Sequence, residues 1–218
     1  MRKPFAVVAA AVLATVLAGC GSETDGNAHP PDAAAGTDPA AEIQGIEIVD
    51  YPAGDHVGAS QRVAYEYSPP PFGGPPHDAV WATCTGIVYP APIRSENAVH
   101  SLEHGAVWIA YDPERVSGEQ RNLLAARVDG VTYMLMSPYP DLAQPISLQS
   151  WGGHRLFVDD ADDPRIDRFI DALRLNPNTY PEPGATCATL PTSFDPANPP
   201  PFEPVPDPSE PGVVPPER

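Results

Sequence analysis

The chain has 218 residues, 31 of them proline, with 29 acidic against 12 basic side chains and a net charge of −17. So few cations exclude a nucleic-acid binder, because neutralising a phosphate backbone takes clustered Lys and Arg. The only lysine, Lys3, sits beside Arg2 at the start; without that pair, 29 acidic side chains face 10 basic ones, net −19, a balance that disfavours adhesion to an anionic lipid surface.

Arg2 and Lys3 form a short basic region before an uncharged 14-residue run from Phe5 to Ala18. That run is too short for a membrane-spanning helix of about 20 residues and has the layout of an export signal. It ends in Leu17-Ala18-Gly19-Cys20, which resembles the bacterial lipoprotein signal. The expectation is a signal peptide over 1–19, a lipid on Cys20 and a chain held at the outer face of the cell membrane, since two or more acyl chains anchor durably. Residues 20–42 contain no large apolar side chain after Cys20 and read as a flexible tether.

A single domain is expected over 43–188. Strand patterns bounded by Gly, Pro, Asp or Ser fall at 45–49, 62–67, 79–89 with an interruption, 106–111, 131–137, 146–151 and 155–158. A short helix over about 96–104 should be stopped by Gly105. A second helix begins at Ser117, with Gln120 completing a capping box, and ends at Gly130. In a third, Asp163 caps and Pro164 opens the first turn, with Ile166, Phe169, Ile170 and Leu173 on one face. Strands and helices in this irregular order predict an α+β fold with a mostly antiparallel or mixed sheet and two to three helices. Cys84 and Cys187 remain once Cys20 is lipidated, and outside the cytoplasm such a pair is expected as a disulfide. Closing a loop of about 100 residues would stabilise by roughly 4–5 kcal/mol. From 189 to 218 the chain is dominated by proline and reads as an extended, disordered spacer whose protein partner, if it has one, is unknown.

The densest chemistry is His100-Ser101-Leu102-Glu103-His104. A helix there places His100 and His104 one turn apart on one face, with Glu103 beside them, which suits a metal ion. The string also matches H-x-x-E-H, in which a zinc-dependent hydrolase would use Glu103 to activate water. Extended through Gly105-Ala106-Val107 and Tyr111-Asp112-Pro113, it resembles the signature of the bacterial family of unknown function numbered 3105, common among actinobacterial membrane-anchored proteins. The turn ending at His77, Ser137-Pro138-Tyr139-Pro140, Ser150-Trp151-Gly152 and Pro181-Glu182-Pro183-Gly184 agree with it, so the resemblance runs from about Val57 to Cys187. The turn before His77 is looser and richer in proline than the family pattern. The family name implies no activity.

Met134 and Met136 alternate along a predicted strand and should point to one side, and thioethers beside imidazoles suit copper better than zinc. His77 and His154 lie in Gly- and Pro-rich turns that display side chains. The leading expectation is therefore a transition-metal site, copper ahead of zinc, formed by His100, His104 and His77 with Met134 or Met136, while Glu103 and His154 lend polar support. One alternative is a non-catalytic envelope domain in which the His and Glu cluster is a buried polar network; the zinc hydrolase is the other. Nothing resembling a nucleophile elbow or a phosphate loop argues for an enzyme.

Overall fold

The computed structural model describes residues 38–51, 54–59, 61–68 and 71–215. The expected signal peptide, Cys20 and the tether up to residue 37 lie outside these described residues. The elements, in chain order, are β1 (Ile46–Ile48), β2 (His56–Val57), β3 (His77–Asp78), β4 (Thr85–Val88), α1 (Ser95–Glu103), β5 (Val107–Tyr111), α2 (Gly118–Val128), β6 (Met134–Pro138), β7 (Ile146–Ser150), β8 (His154–Val158) and α3 (Pro164–Leu173). They form an α+β domain around a mixed six-stranded sheet of order β1-β8-β7-β5-β6-β4. The β4, β6 and β5 strands run parallel, while β7, β8 and β1 extend the sheet in antiparallel pairs. No helix among the described residues is long and apolar enough to cross a membrane.

Alternation along the central strands builds two cores. Val107, Ile109 and Tyr111 of β5, with Met134 and Met136 of β6, pack under α2 and α3 against Leu124, Val128, Ile166, Phe169 and Leu173. Trp108, Ala110 and Leu135 point the other way, against Ala98, Val99 and Leu102 of α1. Because successive side chains leave a strand on opposite faces, the two methionines do share a side, but it is the face away from α1. The helix ends follow local chemistry. The Asp163 carboxylate accepts from the Arg165 N–H and Pro164 opens α3. The expected capping box on α2 does not form: Ser117 makes no side-chain cap bond, and Gln120 instead accepts from the Ala161 N–H at 2.6 Å.

Three expectations change. Residues 62–67 form no strand; their ladder is a single bridge, Val63 to Val214, a partner that local patterning cannot foresee. The packed chain starts before residue 43, for Ala40 is fully buried and Asp38 bonds His154. The proline-rich segment is no free spacer. Phe194 is 1% exposed, Phe202 and Val214 pack on the α1-side core, and Arg62 pairs with Glu203 and Glu210. Two aromatic side chains in a polyproline-like run gave it enough apolar area to dock.

Candidate metal centre

Helix α1 is buried along its whole length although six of its nine residues are polar. Buried polar groups need partners, and here they bind the segment just upstream. Asn97 donates to the Val80 carbonyl at 2.6 Å, Ser101 to Ala82 at 2.7 Å, and the His100 Nδ1–H to Asp78 at 2.6 Å. Spaced along one helical stripe, these three side chains clamp residues 78–82 against α1. The clamp fixes β3, and β3 pairs with β2 in a register that sets His56 directly opposite His77. At the other end α1 stops in a Schellman turn, with the Gly105 N–H on Leu102 and the Ala106 N–H on Ser101. Gly105 has φ +92°, and a Cβ there would come within 2.7 Å of the Tyr180 ring, so only glycine lets the segment around residue 180 close over the helix.

Four imidazoles and two carboxylates meet at this junction. The Nδ1 atoms of His77, His100 and His104 lie 3.0, 2.6 and 2.9 Å from the carbonyls of Pro75, Asp78 and Thr186. A carbonyl oxygen can only accept, so each Nδ1 carries a proton, and in the neutral ring it is Nε2 that offers the lone pair. Those lone pairs converge. The Glu103 Oε2 atom is 2.9 Å from His77 Nε2, 3.5 Å from His56 Nε2 and 3.9 Å from His100 Nε2. One ligand atom each from His56, His77, His100 and Glu103 falls within 4.8 Å of all the others, and a second such group joins His100, His104 and Glu182. A backbone bond on one nitrogen and an inward lone pair on the other is the arrangement that fixes tautomer and ring orientation in metal-ligating histidines.

The electrostatics fit. Burial first, and then the neighbouring His77, push the His100 imidazole down to about 3, against the opposing bond to Asp78. His104 is lowered by burial as well, despite its bond to Thr186. Burial raises the Glu103 carboxyl, but the His77 hydrogen bond and the charges of His77, His100 and His56 outweigh it, and the net shift is downward. At neutral pH the site thus holds an ionised carboxylate facing at least two uncharged imidazoles. Glu182, lifted by burial and by repulsion from Glu103, stands 3.2 Å from His104 Nε2 on the more open side. Trp81 lies against His100 and His104 at ring distances of 5.5 and 4.7 Å, and Trp151 meets His77 edge-on at 5.4 Å.

The structure brings together His77, His100, His104 and Glu103 from the sequence-based set. It does not bring in Met134 or Met136, which are fully buried in the core beneath α2 and α3, with the sheet between them and the histidines. His154 stands apart too: its Nδ1 donates to the Trp151 carbonyl and its Nε2 pairs with Asp38 at 2.7 Å, fastening the N-terminal segment. Two members escaped the sequence reading. His56 sits on a two-residue strand, too short for any periodic signal. Glu182 belongs to the Pro-Glu-Pro-Gly turn that carried part of the family resemblance, and that was its one trace. Cys84 and Cys187 are joined, with Cα atoms 4.7 Å apart across a separation of 103 residues. The cystine holds the residue that opens into β4 to the residue after Thr186, whose carbonyl orients His104.

Neither a curated protein nor a solved structure matches the chain. A family model described as protein of unknown function (DUF3105) matches residues 56–189, a span that opens on His56 and contains every residue of both ligand groups. Well over half of the chain lies inside that match, and the protein belongs to the DUF3105 family.

Proposed function

We propose that the domain binds a divalent first-row transition ion through the Nε2 atoms of His56, His77 and His100 and the carboxylate of Glu103, and that it serves to capture or hold that ion. The observation that carries this reading is the facing of His77 Nε2 and Glu103 Oε2 at 2.9 Å when the His77 proton is already committed to Pro75. Two acceptors at that distance need a cation or an added proton between them. One proton would satisfy the His77 pair alone, whereas a single divalent ion would also use the Nε2 atoms of His56 and His100, which stand 3.5 and 3.9 Å from the same carboxylate oxygen, and is the better fit to the whole group. Three imidazoles and a carboxylate form a borderline donor set. Without thioethers the case for Cu(I) falls away, and the affinity order of divalent ions puts Cu(II) ahead of Zn(II). The hydrolase alternative loses support because Glu103 sits among the ligand atoms rather than behind a free water position.

The same proposal places this site outside the cytoplasm, on the outer face of the membrane, through a lipid on Cys20. Its support is the Leu17-Ala18-Gly19-Cys20 sequence and the cystine, a bond favoured in oxidising compartments. Titration of the chelator-stripped chain with Cu(II) and Zn(II) tests the ion. Binding that His77→Ala, His100→Ala and Glu103→Gln leave unchanged would overturn it. Fractionation of cells carrying Cys20→Ser tests the anchor, which predicts release of the protein from the membrane.

A further inference from the structure

We infer that the centre has room for two ions, the second held by His104 and Glu182 beside the first. This rests on the reading above, and a different pair of atoms carries it. His104 donates its Nδ1–H to the Thr186 carbonyl, so its Nε2 is a lone pair, yet that nitrogen lies 3.2 Å from the Glu182 Oε2 atom. The acceptor-against-acceptor facing seen at His77 and Glu103 is thus repeated one residue further along the chain, at the C-cap of α1. His104 is 3% exposed, which leaves water no room to solvate the nitrogen from behind. His100 cannot serve both positions, because its Nδ1 is tied to Asp78 and one Nε2 lone pair binds one ion. The second position therefore draws on His104, Glu182 and solvent, reached past the half-exposed Glu182 side chain. Glu103, adjacent to His104 in the chain, stands close enough to Glu182 to raise its carboxyl, so an ion held by His104 and Glu182 would also feel its charge.

The occupant is a second divalent transition ion, bound more weakly than the first because it has two protein side chains rather than four. Zn(II) alone is the probe: metal-stripped full chain is loaded, desalted and analysed for zinc per chain across a titration, with circular dichroism to confirm folding. Two ions per chain are expected in the native protein. Glu182→Gln, which keeps the side-chain size at a half-exposed position, is expected to hold one, with the tighter affinity unchanged. A native chain that saturates at one ion, or a Glu182→Gln variant that still takes two, overturns the second position. A native chain that takes none sinks the first site as well, so the two failures are distinguishable.

Discussion

The Nε2 atom of His77 lies 2.9 Å from Oε2 of Glu103, while its Nδ1 is held 3.0 Å from the Pro75 carbonyl. That geometry sets one prediction with two parts. In Glu103→Gln an amide N–H can point at the imidazole lone pair, so the metal-free variant should be as stable as the native protein or slightly more so. The same change removes the anionic ligand. Loss of an outer-shell partner alone weakens metal affinity about 10–100-fold, and loss of a direct ligand should exceed that. Thermal melts with and without Zn(II) check both parts, the ion-induced rise in Tm being expected to shrink sharply at zinc concentrations that saturate the native protein.

Acid should destabilise the metal-free domain. The His100 imidazole sits at about 3 in the folded chain against about 6.5 when unfolded. The unfolded state therefore binds more protons between these values, and stability is full above pH 6.5 and falls as pH drops toward 3. His104 is shifted the same way. Glu103, lowered in the fold, adds a loss of the same sign once pH falls through the carboxylate range. The unfolding free energy from urea titrations in chelator should decline by about 1.6 kcal/mol from pH 6.5 to 5 for His100 alone, and a flat profile would contradict the burial of a neutral ring.

Reducing the Cys84–Cys187 bond should weaken both the fold and the site. The chain-closing effect of a cystine in a small domain is about 2–5 kcal/mol. The Cys84 N–H also bonds the Cys187 carbonyl at 3.0 Å, one residue from the Thr186 carbonyl that fixes His104. Cys84→Ser with Cys187→Ser is expected to lower Tm and to blunt zinc binding at His104 before binding at His77.

The C-terminal segment contributes to stability. Phe194, 1% exposed and edge-on to Tyr89 at 6.3 Å, should cost about 3–5 kcal/mol on truncation to alanine. An inert spacer would show no change in the urea midpoint. The family match ends at residue 189, so cutting there removes Phe194, Phe202 and Val214 from the core.

Copper(II) quenches indole emission at short range, and Trp81 lies 4.7 Å from the His104 ring. Titration should dim the protein's fluorescence in step with binding. Trp81→Phe should remove a large part of that response while leaving affinity unchanged, because the indole supplies no ligand atom.

What could be read from the residues was whatever local chemistry determines. The Asp163-Pro164 start, the Gly105 stop and the alternation of β5 and β6 all depend on neighbours a few positions away, and each matches the structure. The His100, Glu103 and His104 stripe followed from helical spacing alone. What escaped depends on distant pairings. Gln120 left its own helix for the Ala161 N–H, and Val63 found its strand partner in the C-terminal segment. His56 gained meaning only once β2 lay against β3. The methionines were placed on one side correctly, but period two says nothing about which side of a sheet will face α1.

The candidate ligands come from β2, β3, α1 and its C-cap, and the turn after α3, separated by most of the domain's length. A partly opened chain holds no such groups, so an ion that binds His56, His77, His100 and Glu103 together binds the native state alone. Its free concentration then acts as a thermostat on the fold: at about one hundred times Kd it adds about 2.7 kcal/mol to the native state. The fraction of chains left open to proteolysis would thereby report how much metal the surroundings supply.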